Sequence, residues 1–163
     1  MTLTPERAAA ISALMASEQN EQMRPPIAEN LDLEAHPEGG WYRRVWTSPV
    51  NAALADGRER AAASMILFLL DAATTSTWHR VASEEVWIAR RGRVVLELGG
   101  TGAAPGTATV TVVGTDSSVG EQPIGIVPAH TWQRARADGG EALVTCVVSP
   151  EFRFDDFELL AEN

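Results

Sequence analysis

The chain has 163 residues, of which 45% are hydrophobic and 21% are charged. This composition is that of a globular protein, and the length suits one domain with a core of its own. The net charge of −9 argues against nucleic acid and against anionic membranes as partners, because phosphate groups are bound by clustered lysine and arginine.

A single cysteine, Cys146, excludes an intramolecular disulfide and argues against a cysteine-based zinc site. The strand-like segment around it predicts a small apolar core residue rather than a reactive thiol. The first residues lack the basic and apolar regions of a secretory signal, and no apolar run approaches the ~18 residues of a membrane span. We therefore expect a cytoplasmic protein.

Two short helices are predicted before the first strand. The triplet Thr-Pro-Glu at 4–6 is typical of a helix start, and apolar residues follow it at helical spacing. The proline pair at 25–26 can begin a second short helix toward Leu33. We assign residues 1–30 to an N-terminal helical extension and residues 31–163 to a β-domain.

The remaining chain predicts short β-strands joined by turns rich in glycine and proline. The segment between the first two strands, residues 48–60, is predicted to be a loop. About eight strands or more, with helix only at the start, are typical of a β-barrel or a double-sheet jelly roll. The predicted strands are 41–47, 61–70, 77–81, 86–89, 94–98, 107–113, 124–127, 131–136 and 142–148.

The most informative stretch is 76–92, which places His79 and Glu85 in an apolar and aromatic setting. Alternate strand residues share a face, so His79 lies with Val81, and Glu85 lies with Trp87. If the two strands pair as a hairpin, the imidazole and the carboxylate meet inside the sheet. The pair is then a buried structural contact, a general base with its orienting acid, or an incomplete metal site.

Several separated motifs occur in the order in which a known family carries them. They are His-Pro-Glu-Gly-Gly-Trp-Tyr-Arg at 36–43, Trp-His-Arg at 78–80, Ser-Glu-Glu-Val-Trp at 83–87, Gly-Glu at 120–121, Val-Pro-Ala at 127–129, Trp-Gln at 132–133 and Ser-Pro-Glu-Phe at 149–152. Together they resemble the cupin 5, or DUF985-like, branch of the cupin superfamily. The resemblance implies a cupin jelly-roll β-barrel, usually dimeric, with its site inside the barrel.

The resemblance also implies how a metal would be held. The general cupin pattern offers a metal three histidines and one glutamate. Aligned with it, His79 and Glu85 occupy two of these positions, whereas Val81 and Gln133 stand where histidines are usual. A divalent transition metal prefers more imidazole than this. No cofactor is therefore firmly predicted, and a divalent metal on His79, Glu85 and Gln133 is kept as an alternative.

Other candidate site residues come from the same motifs. Tyr42 is the only tyrosine in the chain, and the resemblance to epimerase-like cupins makes it a candidate acid beside a histidine base. His130 lies at a predicted turn and is a candidate second acid or base at the rim. His36 is expected to cap a turn. The residues predicted to contact a ligand are Trp87, Gln133, Trp78 and Trp132.

Two functions of different classes follow. The first is an enzyme of the isomerase or epimerase type, which transfers protons on a small organic molecule with the catalytic residues His79, Glu85, His130 and Tyr42. The second is non-catalytic binding of a small ligand, and a metal-dependent cupin with a reduced ligand set is a further alternative. We expect a homodimer that binds a small molecule, with neither nucleic acid nor membrane as a partner.

The titration of His79 tests the first function. An ionised Glu85 within hydrogen-bond reach would raise the pKa of His79 above its usual value of about 6.5, whereas burial among apolar residues would lower it. A general base must be neutral at the working pH. We therefore expect the lowered pKa.

Overall fold

The computed structural model describes residues 24–72 and 74–161. The helix predicted to begin near residue 4 lies outside this part of the chain. One α-helix and thirteen strands follow among the described residues, with 3-10 turns at Ser117–Val119 and Phe154–Asp156. The elements are α1 (Pro26–Asn30), β1 (Glu34–Ala35), β2 (Trp41–Thr47), β3 (Asn51–Ala53), β4 (Glu59–Ala61), β5 (Ser64–Leu70), β6 (His79–Val81), β7 (Glu84–Arg91), β8 (Val94–Leu98), β9 (Thr109–Val113), β10 (Ile124–Val127), β11 (Gln133–Ala137), β12 (Ala142–Ser149) and β13 (Phe157–Leu159).

Two antiparallel sheets form the body of the fold. The six-stranded sheet has the order β1-β2-β5-β12-β7-β10, and the five-stranded sheet has the order β13-β6-β11-β8-β9. The strands β3 and β4 make a separate two-stranded sheet. This is the predicted jelly roll, built as a sandwich whose two sheets do not close into a continuous barrel.

The main core lies between the two sheets. Each strand alternates its side chains between an inner and an outer face, so the inner residues of β5, β7 and β12 meet those of β8 and β11. The Phe68 and Trp87 rings pack edge to face, with their centroids 5.7 Å apart. Cys146 is 1% exposed, as the sequence predicts for a small core residue.

The short helix predicted from the proline pair is present as α1. Pro25 precedes it in an extended conformation, and the helix begins at Pro26, whose missing N–H would have no helical partner at this position. Ala28 and Leu33 are fully buried in a second apolar cluster with Leu69. The helix therefore packs on the six-stranded sheet. Among the described residues, no helix has the length and apolar character needed to cross a lipid bilayer.

The hairpin considered for the segments around residues 82–83 does not form. The strand β6 pairs with β11 and β13, and β7 pairs with β12 and β10. Both edges of each strand are thus occupied by other partners, and residues 82–83 carry the chain from one sheet to the other. As a consequence, His79 and Glu85 reach the interior from opposite walls of the sandwich.

Two further strand predictions were wrong in detail. The single strand predicted for 61–70 is divided, because β4 ends at Ala61 and β5 begins at Ser64. The predicted loop 48–60 contains β3 and most of β4, which pair around the turn at Gly57, where φ is +84°. A left-handed turn residue of this kind is typical of a tight hairpin.

Candidate functional site

A cavity of about 210 Å³ lies between the two sheets, beside β13 and the 3-10 turn at Phe154–Asp156. Its wall combines carboxyl, imidazole and aromatic groups. The lining residues on which the chemistry depends are His36, Glu38, Tyr42, His79, Glu85 and Trp87. Such a concave site with few polar groups among apolar ones is what small-molecule binding requires.

The turn between β1 and β2 brings His36 and Glu38 into the cavity. Gly39 and Gly40 adopt positive φ angles of +106° and +78°, which favour glycine. A Cβ on Gly40 would lie 2.6 Å from the carbonyl oxygen of Leu69, so a larger residue there must displace the turn. His36 and Glu38 are consequently 5% and 7% exposed, respectively. His36 also caps the turn as expected, since its Nδ1 accepts the backbone N–H of Glu38 at 3.3 Å.

Glu38 and His79 form the closest acid–base contact in the cavity. His79 Nε2 lies 3.1 Å from Glu38 Oε2, and both side chains are buried. On the other side of the ring, Nδ1 lies 2.8 Å from the carbonyl oxygen of Thr77, which can only accept a hydrogen bond. Nδ1 therefore carries a proton, and a second proton must lie between Nε2 and Glu38.

The pKa directions show which group holds that second proton. Burial lowers the pKa of His79 to about 4, against the weaker opposing effect of the Thr77 carbonyl. Burial, followed by the charge of Glu85, raises the pKa of Glu38 well above its usual range. Burial thus favours the neutral forms of both groups, a protonated carboxyl group beside a neutral imidazole. The lowered pKa expected for His79 is confirmed, but its carboxyl partner is Glu38 rather than Glu85.

A second imidazole lies close to the same carboxyl group. His36 Nδ1 is 3.6 Å from Glu38 Oε2. Burial, together with the proximity of His79, lowers the pKa of His36 to about 3. The His36 ring packs edge to face on Tyr42 with a centroid distance of 4.5 Å. Glu38 is thus flanked by two imidazoles that are neutral at physiological pH.

Glu85 belongs to a separate hydrogen-bonded chain. The Trp87 indole N–H, which can only donate, points to Gln133 Oε1 at 3.1 Å. The Gln133 amide nitrogen consequently faces Glu85 and donates to its Oε2 at 2.6 Å. The Cys146 thiol also hydrogen-bonds to Glu85. Burial raises the pKa of Glu85, and these two donors act against that increase by stabilising the ionised carboxylate.

These residues do not fit the donor set of a transition-metal centre. Among residues 24–72 and 74–161, no group of three or more His, Cys, Asp or Glu side chains is arranged to hold a metal ion. Of the predicted ligands, His79 turns its Nε2 to Glu38, while Glu85 and Gln133 hydrogen-bond to each other. The donor atoms of the three residues therefore point to protein partners instead of converging on one point.

The other predicted site residues are distributed over the fold. Tyr42 lines the cavity, and burial, followed by the charge of the neighbouring Glu34, raises the pKa of the tyrosine. His130 is exposed at a turn, with φ of +61°, and is not among the cavity-lining residues. Trp78 and Trp132 also lie outside the cavity wall, where each ring packs against an arginine guanidinium at 4.8 and 4.6 Å, respectively.

Sequence reasoning missed Glu38 altogether. It treated Glu38 as part of a turn motif. Glu38 lies between a proline and two glycines, directly before an aromatic strand, and this pattern indicates that the turn holds the carboxyl group in a fixed position. The polar contact of Cys146 was missed as well, because nothing in an apolar strand indicates which carboxyl group lies across the sandwich. The site is thus centred on Glu38 and His79, with Glu85 on the opposite wall.

A two-sheet jelly roll with a histidine and acidic side chains between its sheets defines a cupin-type protein. The chain belongs to the cupin superfamily (DUF985), whose family profile matches residues 26–160. No curated protein matches the sequence.

Solved structures agree with this assignment. A hypothetical protein from Leishmania major is 28% identical, covers 82% of this chain and 85% of its own length, and superposes with a TM-score of 0.75. A protein from Shewanella oneidensis is 33% identical over 83% of this chain and 82% of its own, with a TM-score of 0.73. A variant of oxalate decarboxylase from Bacillus subtilis shares the fold alone, with 15% identity over 76% of this chain and 29% of its own and a TM-score of 0.53.

Proposed function

We propose that this protein is an enzyme that transfers protons on a small organic molecule inside the cavity, as an isomerase or epimerase does. The observation that supports this most directly is the Glu38–His79 contact of 3.1 Å, which joins a carboxyl group and an imidazole away from bulk water. An acid and a base with pKa values shifted in opposite directions are typical of a catalytic pair.

Glu38 and His79 can pass protons between the substrate and the protein. One oxygen of the Glu38 carboxyl group accepts a proton from a carbon next to a carbonyl group of the substrate. The other oxygen passes its own proton to His79 Nε2, which gives an imidazolium whose Nδ1–H donates to the Thr77 carbonyl. Return of the proton to the other face of that carbon, or to a neighbouring atom, gives the epimer or the isomer. Tyr42, with its raised pKa, stays protonated and supplies a hydroxyl donor at the cavity wall.

The size of the cavity limits the substrate. Its volume of about 210 Å³ is below the roughly 300–1,000 Å³ of sites that hold drug-sized ligands. The cavity therefore suits a small substrate, and the proposed proton transfer requires that this substrate bear a carbonyl group.

Proton transfer is tested by exchange in deuterated water. Purified protein is incubated with a panel of small hydroxy- and amino-carbonyl compounds, and loss of the C–H signal is followed by proton NMR. We expect exchange with the wild type and a rate lower by a factor of about 100 or more in Glu38→Gln and His79→Gln. Glu84→Gln, the same change at an exposed site on β7, should exchange at the wild-type rate.

If compounds bind and none exchanges, the proposal fails in favour of non-catalytic small-ligand binding. Exchange that survives in both Glu38→Gln and His79→Gln would place the chemistry elsewhere. Assembly as a homodimer stays a prediction, which sedimentation at micromolar concentration tests.

A further inference from the structure

We infer that the cavity selects a small organic cation, with a protonated primary amine as the group it recognises. This inference names the substrate class for the proton transfer proposed above and rests on that function for its chemistry. It concerns binding, however, and it stands on a separate set of contacts.

The first support is the pairing of hydrogen-bond donors around the cavity. The Trp87 indole donates to Gln133, and the Gln133 amide in turn donates to Glu85. The Cys146 thiol also donates toward the Glu85 carboxyl group. These donors are committed to internal acceptors, while each carboxylate oxygen keeps further acceptor capacity. A ligand that brings its own donors is therefore the best match, and an ammonium group has three donors and no acceptor.

The second support is the charge of the wall. Glu85 lines the interior and Glu34 lies at its exposed rim, whereas the neutral form favoured for Glu38 adds no negative charge. Arg44 is the one cation among these lining residues, and it is already engaged. Its guanidinium donates to Glu151 at 3.0 Å and to the carbonyl oxygen of Phe152 at 2.7 Å. An anionic ligand would thus meet carboxyl groups whose favourable partners are cations.

The third support is the aromatic surface that surrounds these carboxyl groups. A cation is attracted to the faces of aromatic rings, most strongly when it is removed from water, and recognition of ammonium ligands commonly uses such walls. The aromatic residues that line the cavity are Tyr42, Phe68, Trp87, Phe152 and Phe154. A neutral ligand gains apolar contact from this wall, but only a cation gains the electrostatic attraction as well.

The inference is tested with three probes that share an isobutyl group and differ in their polar group: isobutylamine, isobutyl alcohol and isovalerate. Their binding to the full-length protein is measured near neutral pH by isothermal titration calorimetry, with amide chemical shifts to locate the site. We expect the amine to bind about tenfold or more tightly than the alcohol and the acid not to bind. Glu85→Gln should abolish the preference for the amine, whereas Glu84→Gln, the same change on the exposed side of β7, should retain it.

Equal or tighter binding of the alcohol or the acid overturns the inference, as does failure of the amine to bind at millimolar concentration. A preference that persists in Glu85→Gln also overturns it, provided that the variant keeps the wild-type melting temperature. If Glu85→Gln does not fold, the wild-type ranking of the three probes decides alone. Selectivity for the amine without exchange in deuterated water would refute the proposed reaction but support the inferred ligand class. Exchange confined to uncharged compounds would support the reaction and refute the ligand class.

Discussion

Thr77 determines how His79 can react. Its carbonyl oxygen holds the Nδ1 proton of the ring, so Nε2 is the nitrogen that faces Glu38. If the ring lost this contact, either nitrogen could carry the proton and the acid–base pair would be formed only part of the time. A backbone group, which no side-chain substitution removes, therefore selects the tautomer of His79.

NMR titration of the histidines checks this arrangement. We expect the ring of His79, assigned with His79→Gln, to be the Nδ1–H tautomer at neutral pH and to take up a proton only near pH 4, because burial lowers its pKa to about 4. His36 should titrate lower still, at about 3. A His79 pKa above about 8 would show an imidazolium paired with an ionised carboxylate, and proton transfer by a neutral base would then be excluded.

Substitution of Gly40 by alanine should destabilise the fold more than the same substitution at Gly57, which serves as the matched control. Both have a left-handed φ, of +78° and +84°, but only Gly40 faces a neighbouring atom, the Leu69 carbonyl oxygen, where a Cβ would lie at 2.6 Å. Gly57→Ala should cost about 1–2 kcal/mol from backbone strain. Gly40→Ala should cost at least about 1 kcal/mol more, because the turn must also move.

Urea unfolding of the two glycine variants measures this difference. Gly40→Ala should also lose exchange activity, since the displaced turn carries Glu38. Equal free energies of unfolding for the two variants would show that the turn yields without strain.

Among the elements, β13 packs against His79. Phe157 is 8% exposed, packs with Val81 and Val148, and lies with its ring centroid 5.4 Å from that of His79. Phe157→Ala should lower the free energy of unfolding by about 3 kcal/mol, as large-to-small changes in cores do. It should also raise the pKa of His79 toward its usual value, because water enters beside the ring.

Calorimetric or urea unfolding, with the same histidine titration, tests the role of β13. Phe154→Ala serves as the control, since Phe154 is 48% exposed and should cost less. A His79 pKa that stays near 4 in Phe157→Ala would mean that β13 does not shield the ring from water.

The sequence predicts the bounds of the strands better than it predicts which strands pair. The observed bounds of β2, β8 and β10 agree with the alternation of side chains, which is a local property. Whether β6 and β7 form a hairpin depends on which other strands occupy their edges, and those strands lie far away in the chain. The same limit explains why the predicted contact between His79 and Glu85 does not form and why Glu38, the actual partner of His79, was missed.

For the whole molecule, the two buried histidines make stability depend on pH. In the unfolded chain both titrate near 6.5, whereas in the fold their pKa values are lowered to about 3 and 4. Their contribution is thus complete above about pH 6.5 and is lost as the pH falls toward 4, because only the unfolded chain then binds protons. Glu38, whose pKa is raised, acts in the opposite direction.

The contribution of His79 to this pH dependence is obtained by comparing the His79→Gln variant with the wild type. Between about pH 7 and about pH 4.5, His79→Gln should lose about 2 kcal/mol less of its free energy of unfolding than the wild type does. Urea denaturation at the two pH values gives the difference. Equal losses in the variant and the wild type would mean that His79 takes up a proton in the fold as readily as in the unfolded chain.

The hydrogen bond from Trp87 to Gln133 crosses from the six-stranded sheet to the five-stranded sheet. His79 and Glu85 are held on opposite sides of the same gap. If the sheets shift against each other while their strands persist, this hydrogen bond and the alignment of His79 with Glu85 are lost together. The far-ultraviolet circular dichroism would then hardly change, but the near-ultraviolet signal of the Trp87 indole would disappear. That signal is therefore an optical indicator that the two sheets keep their alignment, which strand content alone does not provide.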